Sequence, residues 1–184
     1  MKTLTKLAVL FVIFLSTAVI AQKKDYSDEP GYVNFGNLAN FETEEMVTEV
    51  ILEDHLLRMV SKITKHEDED LSKLIGGLKL IRVNAFEVNT KNESELFDKV
   101  KSVDKDLMGE GWDRIVKSRS KSESAYVYIK TDRSDNIYGL VVMAIDGSGE
   151  AVFVNIVGDI NLETIGKLGA KFDIPALDQI NGKK

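Results

Sequence analysis

The sequence predicts an α+β fold in which helices pack on one face of a mainly antiparallel sheet of about four to six strands. Three observations support this prediction. An amphipathic helical repeat lies near the middle of the chain, four runs rich in β-branched and aromatic residues follow it, and turn-forming residues separate those runs. Because consecutive strands with short connections usually pair with each other, we expect an antiparallel meander.

The first half of the predicted domain alternates between short strands and short helices. Residues Val47–Leu52 are rich in β-branched side chains and predict a strand, which leads into a helical apolar pattern at positions 56, 57, 60 and 63. A second short helix carries apolar residues at 71, 74 and 75 and should end at Gly76-Gly77. Residues Leu80–Val88 then alternate as a strand.

The clearest helix is predicted over Glu93–Met108. Asn92, with Glu95 three residues later, resembles a capping box, and Gly109 is placed to end the helix. The apolar residues follow one another at helical spacing and predict the buried face: Leu96, Val100, Val103 and Leu107.

Four consecutive strands and a last helix are predicted after Gly109. The strands cover residues 112–119, 124–131, 137–145 and 151–157, and each connection carries turn chemistry. The helix should begin at Asn161, which can cap it, and present Leu162, Ile165 and Leu168 to the sheet.

The start of the chain predicts export. Lys2 and Lys6 precede an apolar run from Leu7 to Ile20, and Ala21 precedes a polar segment, which is the layout of a cleavable signal peptide. The alternative is a membrane anchor, but a helix that spans a membrane needs roughly 20 apolar residues. The run Leu7–Ile20 is shorter, with 14 residues. The predicted organisation is therefore a signal peptide at 1–21, a flexible leader at 22–40, a single α+β domain at 41–177 and a tail at 178–184. A lipid anchor would need a cysteine after the apolar run, and none is present. We therefore expect a periplasmic or secreted protein with no stable membrane anchor after cleavage.

Composition narrows the classes of partner and of chemistry. The 184 residues carry a net charge of −6, and loss of residues 1–21 with their two lysines leaves −8. A net negative chain is a poor match for nucleic acid or for an anionic membrane, which both need a basic face. The absence of cysteine excludes disulfides and thiolate chemistry.

No residue pattern predicts a catalytic, cofactor or metal site. His55 and His66 lack zinc-helix spacing, and the acidic run at 67–70 lacks the ligand pattern of a calcium loop. The turn Asp146–Glu150 lies between two strands, which indicates a hairpin turn and not a phosphate loop or a nucleophile elbow. Asn92 also begins a glycosylation sequon, which we interpret as a helix cap. Aromatic residues on the strands are interpreted as sheet packing, with a stacking surface as the alternative.

One segment carries a family resemblance. Residues Ala151–Pro175, AVFVNIVGDINLETIGKLGAKFDIP, resemble the closing signature of an uncharacterised exported family of Gram-negative bacteria, domain of unknown function four-two-five-two. The resemblance implies export and a shared fold, and it implies no activity, substrate or catalytic residue. The motif residues, which we interpret as structural, are Gly158, Asp159, Ile160, Ile165, Gly166, Leu168, Gly169, Phe172, Ile174 and Pro175.

The same segment has a physical interpretation. Gly158 should let the chain turn from strand to helix, and Gly166 and Gly169 should let the helix lie close to the sheet. The alternative is an anion bound at the start of the helix, but the negative charges of Asp159 and Glu163 would repel it.

These observations leave three hypotheses for function. The first is a non-enzymatic envelope protein that binds another protein or senses the state of the envelope, through a sheet edge or an exposed apolar strip. The second is a carrier of a small apolar ligand held between sheet and helices. The third is a hydrolase with dispersed carboxylates, which no spacing in the sequence supports. The oligomeric state and the identity of an envelope partner are left open.

Overall fold

The computed structural model describes residues 24–38, 41, 47–66, 68–120, 123–147 and 149–160. Six strands and three helices lie within them. In chain order they are β1 (Val47–Glu53), α1 (Asp54–Thr64), α2 (Glu69–Gly76), β2 (Leu78–Glu87), α3 (Glu93–Gly109), β3 (Asp113–Arg119), β4 (Ser124–Thr131), β5 (Ile137–Ile145) and β6 (Glu150–Ile160). The α+β class and the mainly antiparallel sheet are confirmed.

The six strands form one sheet in the order β1-β2-β6-β5-β4-β3, and every neighbouring pair is antiparallel. The predicted meander is present in β3 to β6. The earlier hairpin of β1 and β2 joins it through β6, which lies between β2 and β5. As a result β1 and β3 are the two edge strands of the sheet that the described residues form.

Helices lie on both faces of this sheet, so the prediction that they cover one face is wrong. Leu57 of α1 and Leu74 of α2 pack in a cluster with Val142 and Val154. On the opposite face α3 packs in a second cluster with Val141 and other sheet residues. Strands covered on both sides need no alternation of apolar and polar residues, and β5 shows none from Leu140 to Met143, all fully buried.

The predicted flexible leader at 22–40 is also wrong in its described part, residues 24–38. Tyr26, Val33 and Phe35 are buried, and Phe35 is 0% exposed. The segment lies on the α3 face, where Asn155 on β6 holds it: Asn155 Nδ2 donates to Gly31 O at 2.9 Å, and Asn155 Oδ1 accepts from Val33 N at 2.9 Å. A few anchoring side chains and one buried amide fix this segment, and neither produces a periodic pattern in sequence.

Gly158 does not turn the chain from strand to helix as predicted, because β6 continues to Ile160. Its φ is +137°, and a Cβ atom there would lie 2.6 Å from both Gly77 O and Leu78 Cα. Asp159 N donates to Gly77 O at 2.9 Å, and Ile160 is buried. Gly158 is therefore needed for a close crossing of two backbone segments.

The predicted capping box at α3 is wrong. The Asn92 side chain makes no cap hydrogen bond to the helix. Instead Asn92 Nδ2 donates to Phe41 O at 3.3 Å and to Glu87 O at 3.0 Å, and Asn92 Oδ1 accepts from Asn89 N at 2.8 Å. The side chain of the sequon asparagine is thus buried and ties the loop before α3 to the end of β2.

Several predictions fall outside the described residues. These are the signal peptide at 1–21, the helix from Asn161, the tail at 178–184 and the motif residues Ile165, Gly166, Leu168, Gly169, Phe172, Ile174 and Pro175. Among the residues that are described, no helix is long and apolar enough to cross a membrane.

Candidate functional site

A cleft of about 440 Å³ lies on the α3 face beside the edge strand β1. One wall is the segment Lys24–Tyr32, and the floor is formed by β1 and β2. Its lining, which we call the edge cleft, consists of Lys24, Asp25, Tyr26, Tyr32, Glu49, Ile51, Glu53, Leu80 and Arg82. Alternation along a strand explains this set, because residues 49, 51 and 53 of β1 and residues 80 and 82 of β2 point to the same face.

Three polar side-chain atoms among the described residues are buried without a hydrogen-bond partner. Two of them lie on β2, Arg82 Nε in the floor of the edge cleft and Asn84 Oδ1 two residues further along, and the third is Ser124 Oγ on β4, away from the cleft. The other side-chain atom of Asn84, Nδ2, donates to Glu49 Oε1 at 3.3 Å. A buried polar atom without a partner costs about 1 to 3 kcal/mol, so such atoms are uncommon in folded proteins. Arg82 Nε and Asn84 Oδ1 are therefore a donor and an acceptor for which no described residue supplies a hydrogen bond.

Lys24, which lines the edge cleft, belongs to a cluster around Asp54, the first residue of α1. Lys24 Nζ lies 2.8 Å from Asp54 Oδ2, and Arg58 NH1 lies 3.1 Å from the same oxygen. The hydrogen bond from Lys24, and after it the one from Arg58, lowers the pKa of Asp54 to about 2, although desolvation opposes this shift. Asp54 N also donates to the Tyr26 hydroxyl at 3.3 Å. These contacts attach the N-terminal segment to α1.

The outer edge of β1 borders this cleft and differs from the edge formed by β3. The seven residues of β1 pair with β2 without a register shift, and they include neither lysine, arginine nor proline. The register of β3 shifts between Arg114 and Val116, and four of its seven residues are charged. Bulges and charged side chains protect an edge strand against further pairing. The β3 edge has both kinds of protection, whereas β1 has no bulge within the described residues and only two charged side chains, Glu49 and Glu53.

A second polar cluster, centred on Asp104 of α3, joins that helix to β3 and β4. Tyr128 OH donates to Asp104 Oδ1 at 2.5 Å, Arg114 NH1 donates to the same oxygen at 2.6 Å, and Lys117 Nζ lies 3.7 Å from Oδ2. Burial alone would raise the pKa of Asp104, but hydrogen bonds from Tyr128 and Arg114 outweigh it and lower the pKa. Burial and the contact with Asp104 raise the pKa of Tyr128. These side chains bind one another, which indicates a structural role: the cluster attaches α3 to β3 and β4.

The histidines do not form a site in the described part of the chain. His55 is exposed, with Nδ1 3.8 Å from Glu53 Oε2, and His66 is exposed on the connection between α1 and α2. No group of three or more His, Asp or Glu side chains among the described residues could hold a metal ion.

The turn at 146–150 joins β5 and β6, as predicted for a hairpin. Asp146 N donates to Glu150 O at 2.9 Å, Glu150 N donates to Asp146 Oδ1 at 2.9 Å, and Gly149 has φ +92°. Ser148 lies outside the described residues.

Sequence reasoning missed the edge cleft. Its wall belongs to the segment interpreted as a flexible leader, and Arg82 lies within the strand predicted over Leu80–Val88, where alternation gives no sign of a cleft. The usable signal was the composition of that leader, where Tyr26, Tyr32 and Phe35 occur among polar residues.

Within the described residues the fold and the cleft define a class: an α+β domain with a six-stranded antiparallel sheet, a regular edge strand β1 and a polar cleft beside it. Residues 41–168 match the family described as Domain of unknown function (DUF4252), and the chain belongs to that family. The family resemblance expected from the segment Ala151–Pro175 is thereby confirmed. No curated protein and no solved structure is significantly similar to the chain.

Proposed function

We propose that this chain is a non-enzymatic protein-binding module of the bacterial envelope, which takes up an extended segment of another protein along the outer edge of β1. The observation that carries the proposal is the contrast between the two edges of the sheet. β1 offers seven residues in regular register, whereas β3 is bulged and charged. An extended peptide that adds to a sheet edge obtains its affinity from main-chain hydrogen bonds.

The edge cleft supports the same proposal. A peptide lying against β1 would place alternate side chains over residues 49, 51 and 53 at the mouth of the cleft. On the neighbouring strand β2, Arg82 Nε in the floor of the cleft and Asn84 Oδ1 beyond it have no hydrogen-bond partner among the described residues. Pockets beside a sheet edge give such interactions their specificity.

The composition of the described clefts favours this function over a carrier of a small apolar ligand. Two further clefts of about 290 Å³ and 470 Å³ are described, and both are lined by charged residues, as the edge cleft is. A carrier of an apolar ligand needs a mainly apolar wall. The envelope as the place of action rests on the signal peptide predicted from Leu7–Ile20.

The test uses two neighbouring proline variants, Val50→Pro and Ile51→Pro. Successive backbone N–H groups of a strand point to opposite sides, so one of the N–H groups of Val50 and Ile51 points toward β2 and the other points outward. The proline variant that loses the N–H group bonded to β2 should unfold at a lower denaturant concentration. The other variant should keep nearly the stability of the wild type, and it is the one to use in binding.

Binding is measured by selecting displayed random peptides of about ten residues, enough for one strand, on the wild-type protein and on the stable proline variant. We expect peptides that bind the wild type and not the variant, and amide exchange protection that they confer on β1. Recovery of the same peptides by both proteins, or of none by the wild type, would overturn the proposal.

A further inference from the structure

The side chains of β1 define the kind of segment that fits its outer edge. Resting on the proposed function, we infer that the partner segment carries two basic residues four positions apart, with apolar residues at the two positions next to the central one. The pattern is basic, apolar, any residue, apolar, basic. It follows from where β1 places its two glutamates and its apolar residues.

The basic positions follow from Glu49 and Glu53. These residues lie on the same face of β1, on either side of Ile51. Glu49 is exposed, and the side chain of Glu53 is 21% exposed. Directly opposite residues in neighbouring strands interact most strongly, and opposite charges there are favourable. The residues of an added strand facing these two carboxylates should therefore be lysine or arginine.

Neighbouring cations do not neutralise this pair of carboxylates. Lys24 and Arg58, the cations at the mouth, are both bound to Asp54. Arg82, the partner of Ile51 in the register with β2, makes no ion pair among the described residues. His55 Nδ1 lies 3.8 Å from Glu53 Oε2, beyond hydrogen-bond distance. Two carboxylates against one guanidinium leave this strip net negative.

The apolar positions follow from the opposite face of β1. Val50 lies beside Val83 in the register with β2, and Leu52 lies beside Ile81. Leu52 packs against the core cluster that contains α1 and α2, and it is only partly buried. An added strand would place two side chains next to Val50 and Leu52, where apolar groups would extend the cover of this cluster.

The pattern reads the same in both directions because it is symmetric about Ile51. It therefore holds for a parallel and for an antiparallel partner. A second copy of this chain, paired antiparallel and centred on Ile51, would place Glu49 opposite Glu53 twice, and like charges directly opposite are unfavourable. This favours a basic segment of another protein over self-association through β1.

The test compares two synthetic peptides by fluorescence anisotropy on the purified protein. Both contain alternating valine and threonine, and they differ only in two lysines or two glutamates placed four positions apart. We expect the basic peptide to bind about tenfold more tightly at low salt, since two opposite-charge pairs replace two like-charge pairs, and we expect the difference to shrink at high salt.

Charge reversal supplies the matched control. The double variant Glu49→Lys with Glu53→Lys should prefer the acidic peptide. The variant Asp98→Lys with Asp106→Lys, which makes the same change in net charge on the exposed face of α3, should keep the wild-type preference. Equal binding of both peptides to the wild type, with loss of both in the stable proline variant, would overturn the charge pattern and leave strand addition intact. Binding of neither peptide, or dimerisation of the wild type that the proline abolishes, would overturn the inference as well.

Discussion

Gly31 and Gly139 lie so close together that a Cβ atom on Gly139 would come within 2.6 Å of the Gly31 Cα. A Cβ on Gly31 would in turn lie 2.0 Å from Tyr138 O. The N-terminal segment therefore rests directly on the backbone of β5, and this contact places one wall of the edge cleft.

Gly139→Ala should lower the free energy of unfolding by about 1 to 3 kcal/mol, because the added methyl group has no space without a shift of the backbone. The measurement is chemical unfolding followed by circular dichroism. Gly109→Ala at the end of α3 is the control, since no atom lies within 4 Å of a Cβ there. It should be neutral or slightly stabilising, and equal losses in the two variants would contradict the close contact.

Asn155→Ala should release the N-terminal segment from the sheet. The change removes the side-chain hydrogen bonds to Gly31, Val33 and Leu140 and leaves buried backbone groups unpaired, at about 1 to 3 kcal/mol for each such group. Hydrogen exchange at residues 24–38 should increase more than exchange in β5. Asn84→Ala is the control, because that amide makes a single hydrogen bond of 3.3 Å. Unchanged protection of the segment in Asn155→Ala would show that its aromatic anchors suffice.

Asp104→Asn should destabilise the protein by about 1 to 3 kcal/mol near neutral pH, since it weakens charge-assisted hydrogen bonds with Arg114 and Tyr128. The folded-state pKa of Asp104 is lowered from 3.8, so its contribution is complete above that pH and is lost as the pH falls through the lower folded value. The stability difference between variant and wild type should therefore shrink in acid below about pH 4.

Denaturant unfolding across this pH range measures the effect. Asp98→Asn, on an exposed position of the same helix, should give a difference near zero at every pH. A difference for Asp104→Asn that does not depend on pH would contradict the role of its charge.

The two sides of α1 should respond differently to truncation. Leu57 is 1% exposed, and Leu57→Ala should cost about 2 to 5 kcal/mol. Ile63 is 70% exposed, and Ile63→Ala should change stability by less than about 0.5 kcal/mol. Thermal unfolding of both variants tests this, and a large loss in Ile63→Ala would show that another part of the protein covers that side chain.

The sequence predicted the strands and helices well because each has a strong local pattern. The bounds of β4 and β5 agree with the predicted 124–131 and 137–145, where turn residues mark both ends. It did not predict which face of the sheet each helix covers, because that depends on tertiary packing. The uninterrupted apolar run Leu140–Met143 was the one local sign that β5 is covered on both sides.

The N-terminal segment and the edge cleft escaped prediction for a related reason. The segment has no regular secondary structure between Tyr32 and Leu38, so periodicity has nothing to detect. It is held by Asn155, more than a hundred positions away in sequence. The cleft exists only because this segment crosses the sheet, and no spacing along the chain reports such a crossing.

The position of β6 has a consequence for how the chain reaches its structure. This strand is the last in sequence among the described elements, yet it alone joins the hairpin of β1 and β2 to the strands β3 to β5. During synthesis the hairpin of β1 and β2 cannot join strands β3 to β5 until residues 150–160 have emerged, because β6 lies between β2 and β5. A nascent chain shorter than this has two open sheet edges, on β2 and on β5, that β6 covers in the described sheet.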